Sequence, residues 1–186
     1  MLKVASDVST IELGNHARRR NAIIKDKMFA AENESDLRQY FLTSFDLDLV
    51  GNLELYRVDY ACTGLWLEVK YRMDIRELPF RCSCIAQMLH YMHKAIADRG
   101  EEILPKSFGI VDRKFCMLYN TEDFGKYFLN PDYFSGIKSP SAPHPALESA
   151  LSRDGNVRAR PLHIIANYGE IWDEFNSRGV YEMGQV

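Results

Sequence analysis

No stretch of this sequence is apolar for long enough to form a membrane-spanning helix. Neither sign of charge is in large excess: 23 basic residues stand against 26 acidic ones, a formal net of −3. That balance excludes a global positive field, so any contact with nucleic acid has to use a local patch. Cysteine is scarce. The four thiols (Cys62, Cys82, Cys84, Cys116) and the lack of a charged, apolar, small-residue order at the start predict free thiols, a reducing compartment and a cytoplasmic protein with no membrane partner. There is no internal repeat, no Gly-rich phosphate loop, no nucleotide fingerprint and no Ser-His-Asp order. Low complexity is confined to the SPSAPHP connector, whose prolines read as a rigid loop rather than a PxxP ligand.

What the chain does have is core-forming material. With 186 residues and 46% hydrophobic composition it can bury a core without disulfide or metal staples. Residues 1–45 carry helical spacing: Ala17, Ile23, Ile24, Met28 and Phe29 fall near one stripe, and Leu37, Tyr40, Phe41 and Phe45 near another. Two helices are expected, with a break near Asn33. The period then changes. LELYRVDYA predicts a strand, Thr63-Gly64 a tight turn and LWLEVKYR its hairpin partner. A helix follows, with Pro79 in its first turn, Ile85, Met88, Leu89, Met92 and Ile96 on one face, and Gly100 at its end. SFGIV and KFCMLY predict short strands around an Asp112-Arg113 turn. Farther on, VRARPLHIIA predicts a strand and GEIWDEFNSRG a helix.

One short segment carries chemistry. In an extended LWLEVKYR, Leu65, Leu67, Val69 and Tyr71 share one face, and Trp66, Glu68, Lys70 and Arg72 the other. An isolated E-x-K is what a solvated strand face looks like. Asp59 changes the reading, because it lies nine residues before Glu68 on the preceding strand, and a turn at Thr63-Gly64 brings it alongside. Two carboxylates then converge beside one ammonium. Hard divalent cations bind through one or two carboxylates, waters and substrate phosphate, and a nearby lysine can orient or deprotonate the attacking water.

The order Asp59, then Glu68-Val69-Lys70, resembles the PD-(D/E)XK nuclease superfamily, in which an acidic residue on one strand precedes E-x-K on the next. Gln87 and Tyr91, one helical turn apart in the following helix, resemble the Q-x-x-x-Y signature of its RecB-like branch. The resemblance implies an α/β, restriction-endonuclease-like core: a central mixed β-sheet flanked by helices, over residues 34–119. Residues 1–33 would be an N-terminal helical extension, and 120–186 a C-terminal elaboration of the same domain. It also implies Mg²⁺ or Mn²⁺ held by Asp59, Glu68 and the Val69 carbonyl, with Lys70 catalytic and Gln87 and Tyr91 beside the site. Many members add an acid from the first core helix, for which Glu34 is better placed than Glu12 or Glu32. The substrate would be nucleic acid, DNA more than RNA, and a partner such as a helicase or other DNA-processing subunit fits the same family.

Other constellations complete the reading. Cys82, Cys84, His90 and His93 offer soft ligands within twelve residues, but their spacing is not that of a zinc finger or ribbon. Arg18, Arg19 and Arg20, followed by Lys25 and Lys27, form a basic cluster expected to track phosphates. Arg153, Arg158 and Arg160 read as a polar edge. The rivals to a nuclease are a catalytically inactive, nucleic-acid-binding or assembly subunit on the same fold, and an adaptor whose aromatic-rich C-terminal half binds a protein.

Overall fold

The computed structural model describes residues 27–53 and 57–182. After a helical turn at 27–30, Asn33 caps helix α1 (Glu34–Ser44), its side-chain oxygen accepting from the Asp36 N–H at 2.8 Å. That bond satisfies an orphan donor of the first turn and sets the expected break at Asn33. Strands β1 (Asn52–Leu53), β2 (Tyr60–Ala61) and β3 (Leu65–Val69) follow, then the long helix α2 (Leu78–Arg99). Strands β4 (Ser107–Val111) and β5 (Phe115–Asn120) form a hairpin. Short helix α3 (Gly125–Phe128), helix α4 (Pro145–Ser152), strand β6 (Leu162–His163) and helix α5 (Tyr168–Ser177) complete the order.

The strands form one mixed sheet in the order β1-β2-β3-β4-β5-β6. Among the described strands one neighbouring pair is parallel, β3 with β4, and α2 is the crossover between them. Pro79 sits in the first turn of α2, and Gly100 closes it at φ 87°, where a residue without Cβ carries no penalty. Gly109 in β4 is fixed by crowding: a Cβ there would stand 2.8 Å from a methyl of Leu67 and 2.8 Å from one of Leu118.

Two cores lie on opposite faces of the sheet. On one side Trp66, Phe108, Ile110, Met117 and Tyr119 meet Ile85, Met88, Leu89 and Met92 of α2, with Leu147 and Leu151 of α4. On the other, Leu65, Leu67, Val69 and Cys116 meet Leu37 and Phe41 of α1 and Ile171, Trp172 and Phe175 of α5. The layers are therefore helix, sheet, helix. Met28 and Ala31 also belong to the second core, so the end of the 1–33 segment is packed structure, and so is much of 120–186.

Two expectations are corrected. LELYRVDYA is not one strand: Arg57 adopts φ 67° and residues 58–59 bend, leaving β1 and β2 as two-residue strands paired antiparallel to each other. VRARPLHIIA is a strand only at Leu162–His163, because the Asp154 carboxylate accepts from the Asn156 and Val157 N–H groups and turns the chain. Strand β3 is covered on both sides. All five of its residues are buried, Glu68 included, because helices cover both faces.

Candidate active site

Cys62 and Leu65 exchange backbone hydrogen bonds, N–H to carbonyl in both directions, at 2.9 and 3.3 Å, which closes the β2–β3 hairpin around Thr63-Gly64. The register pairs Tyr60 with Leu67 and Ala61 with Trp66, and one step further sets Asp59 opposite Glu68. Asp59 lies just before β2 rather than within it. Its Oδ2 accepts from the Val69 peptide N–H at 2.7 Å, and its Oδ1 accepts from Arg38 Nη1 at 3.2 Å. The acid is thereby fixed against the end of β3 instead of swinging into solvent.

Glu68 projects from the same face of β3 as Trp66, toward α2, and is 3% exposed. Its Oε1 accepts from Lys70 Nζ at 2.9 Å, while Oε2 is buried with no hydrogen-bond partner. Burial, and then the Asp59 charge, push the carboxyl up to about 8 against the pull of Lys70. Burial alone would depress the Lys70 ammonium, but the Glu68 carboxylate beside it outweighs that, and its pKa is raised. The two groups are coupled: the ionised form of each favours the ionised form of the other.

Helix α2 closes the site from above. Gln87 Nε2 donates to Tyr91 Oη at 2.7 Å, and burial raises the phenol, which also feels the charges of Glu68, Lys70 and Asp59. The (i, i+4) spacing aligns the two side chains on one face, and α2 turns that face to the carboxylates. Glu34 opens α1 and lines a cavity of about 250 Å³ with Glu32, Asn33, Lys70 and the Tyr71–Met73 segment. Its charge reaches both Glu68 and Lys70. Asp59, Glu68, Lys70, Gln87, Tyr91 and Glu34 thus come together, with the Val69 backbone between the first two.

Other expected residues stand elsewhere. Arg18, Arg19 and Arg20 lie outside the described residues. His93 Nδ1 donates to the Phe128 carbonyl at 2.8 Å and its ring stacks on Phe134, which His90 meets edge-on. Cys82 and Cys84 are buried free thiols, and burial pushes Cys84 up to about 12. Arg153 and Arg158 bond to Ser149 Oγ and the Ser152 carbonyl at the end of α4.

Among the described residues no three His, Cys, Asp or Glu side chains form a metal cage. The candidate donor set is smaller: Asp59, Glu68 and the Val69 carbonyl that the family pattern adds. A hard cation keeping several waters suits such a set. The unpartnered Glu68 Oε2 supplies a buried acceptor, and each Asp59 oxygen has a second lone pair. The residues present fit Mg²⁺ or Mn²⁺.

Arg38 was not foreseen. It lies four residues after Glu34 on the same helix, so a Glu34 that faces the site carries Arg38 with it. Compared with known protein families, with curated proteins and with solved structures, the chain matches none.

Proposed function

We propose that this protein is a metal-dependent nuclease that hydrolyses phosphodiester bonds, on a restriction-endonuclease-like variant of the mixed α/β fold. The observation that carries the reading is Glu68: a buried carboxyl with one oxygen on Lys70, the other without a partner, and a second acid across the hairpin. A carboxyl placed this way is costly to ionise unless a cation joins it. Asp59 and Glu68 would hold Mg²⁺ or Mn²⁺, which supplies Lewis acidity and a more acidic water.

The chain's own groups do the rest. Lys70, held on Glu68 Oε1, donates hydrogen bonds that orient the attacking water and offset charge on the scissile phosphate. Gln87 steadies the Tyr91 hydroxyl beside them. The Val69 N–H holds Asp59 in place, and Glu34 adds negative charge at the rim. Water adds at phosphorus, one P–O ester bond breaks, the water's proton passes to solvent and the leaving oxygen takes one up.

A nuclease-fold subunit that binds nucleic acid without cutting it is the second reading. Arg38 favours it, because a guanidinium on Asp59 Oδ1 already neutralises that acid. Calorimetric Mn²⁺ titration and cleavage of labelled DNA in Mg²⁺ or Mn²⁺ separate the two. The parent should bind the ion and cut, Asp59→Asn and Glu68→Gln should each lose most of the binding, and Lys70→Ala should cut about a hundredfold more slowly or worse. A parent that neither binds Mn²⁺ nor cuts would sink the nuclease reading.

A further inference from the structure

A second cavity, of about 360 Å³, is lined in part by Tyr71, Arg72 and Met73, the segment that also walls the cavity holding Glu34 and Lys70. Arg72, Arg76, Arg113 and Lys114 surround the second cavity, against Asp74 and Asp112. The two acids offset only part of that charge. Asp74 is taken by Arg76, at 2.7 Å to Nη2. Asp112 is buried and accepts from the Ile75, Lys114 and Phe115 N–H groups. In a chain of net charge −3, this is a local positive field beside the candidate site.

The same cavity holds flat surfaces. The Arg76 guanidinium lies over the Phe115 ring at 4.7 Å, and that of Arg113 over the Tyr71 ring at 5.1 Å. Guanidinium planes and aromatic rings are what unpaired bases stack on. Arg113 is anchored by its bond to the Phe29 carbonyl, yet its Nε is buried without a partner. Asp112 ties the loop after β3 to the β4–β5 turn, so the two lips are held in place before any ligand arrives.

We infer that the two cavities meeting at Tyr71–Met73 form a path for a single strand of nucleic acid, with Arg72 and Lys114 on its phosphates and the Arg76–Phe115 and Arg113–Tyr71 pairs under its bases. The class of ligand rests on the nuclease reading, while the path rests on the charges and rings. Recesses of 250 and 360 Å³ have room for nucleotide-sized units in succession, and the guanidinium–ring pairs suit bases that are not already paired. Arg72 and Lys114 are exposed and open to a phosphate backbone.

The test is fluorescence anisotropy in EDTA, where nothing is cut, with a labelled 12-nucleotide single-stranded DNA and the duplex of the same sequence. The double variant Arg72→Ala/Lys114→Ala touches exposed side chains and should fold as the parent does. Its log-affinity should fall less steeply with log salt by about 1.4, two single-strand phosphate contacts at about 0.7 each. Between roughly 50 and 200 mM salt, that slope makes the parent lose about sevenfold more affinity than the variant. The charge-matched control Lys94→Ala/Lys106→Ala should keep the parent slope. Equal losses in both double variants, tighter binding of the duplex, or no single-strand binding by the parent would each overturn the path. Cleavage is read separately: a protein that binds through these residues but does not cut keeps the path and loses the nuclease reading. One that cuts while Arg72→Ala/Lys114→Ala binds like the parent does the reverse.

Discussion

Glu68 and Lys70 set the chemistry at the residue scale, and Glu68 also sets a pH dependence. Its carboxyl ionises near 4.5 in an unfolded chain and near 8 in the folded one. Between those values the folded state holds the extra proton, so its contribution to stability is lost as pH rises through the window. His90, whose pKa burial depresses from its usual 6.5, acts with the opposite sign, and burial gives Asp112 the same sign as Glu68. The difference between parent and Glu68→Gln isolates the carboxyl. In EDTA, the melting temperature of the parent should fall relative to Glu68→Gln from pH 5 to about 8, and parallel curves would mean that Glu68 is ionised throughout. The E-x-K spacing was legible in the sequence because side chains alternate along a strand. The burial of Glu68 was not, since alternation says which residues share a face and not whether a helix covers it. Arg38 escaped for a related reason: a charge on an exposed-looking helix has no visible partner until the hairpin bend delivers Asp59.

Element ends were legible where a residue's own backbone chemistry decides them. Asn33, Pro79, Gly100 and the Thr63-Gly64 turn act locally, and the structure places them where the sequence put them. The ends of the strand expected at LELYRVDYA were set instead by Arg57, whose left-handed φ of 67° no propensity announces. Arg81 is the more consequential surprise. It is buried on α2, and it donates to the carbonyls of Ile75, Arg76, Val157 and Ala159, at 2.8 to 3.2 Å. One side chain thus ties the loop entering α2 to the turn after α4. Arg81→Met keeps the length and removes every donor. It should cost about 3 kcal/mol in urea unfolding, because buried carbonyls left without donors cost about 1–3 kcal/mol each and some will relax toward water. A change under about 0.5 kcal/mol would mean that those carbonyls find water at once.

For the whole molecule, residues 120–186 contribute side chains to both cores. Tyr168 Oη donates to the Ser44 carbonyl and Tyr181 Oη to that of Phe45, while Phe45 stacks on Tyr168 and meets Phe175 edge-on. The last helix therefore completes the layer that α1 begins. Periodicity within a window cannot report such a contact, which joins residues more than a hundred positions apart. The single parallel seam of the described sheet has a further consequence, in time rather than in space. The hairpins β2–β3 and β4–β5 close over short loops, on the order of 1–10 μs. Joining them along β3–β4 requires the chain through α2 to come back first, a slower and entropically dearer closure. Gly109 sits in that seam with no room for a methyl beside Leu67 and Leu118. Gly109→Ala should accordingly slow refolding more than it speeds unfolding in a urea chevron, and a change confined to the unfolding arm would place the seam after the barrier. On this order Asp59 and Glu68 are neighbours before the helix that shelters them has docked, and their mutual repulsion is met in water, where it is weakest.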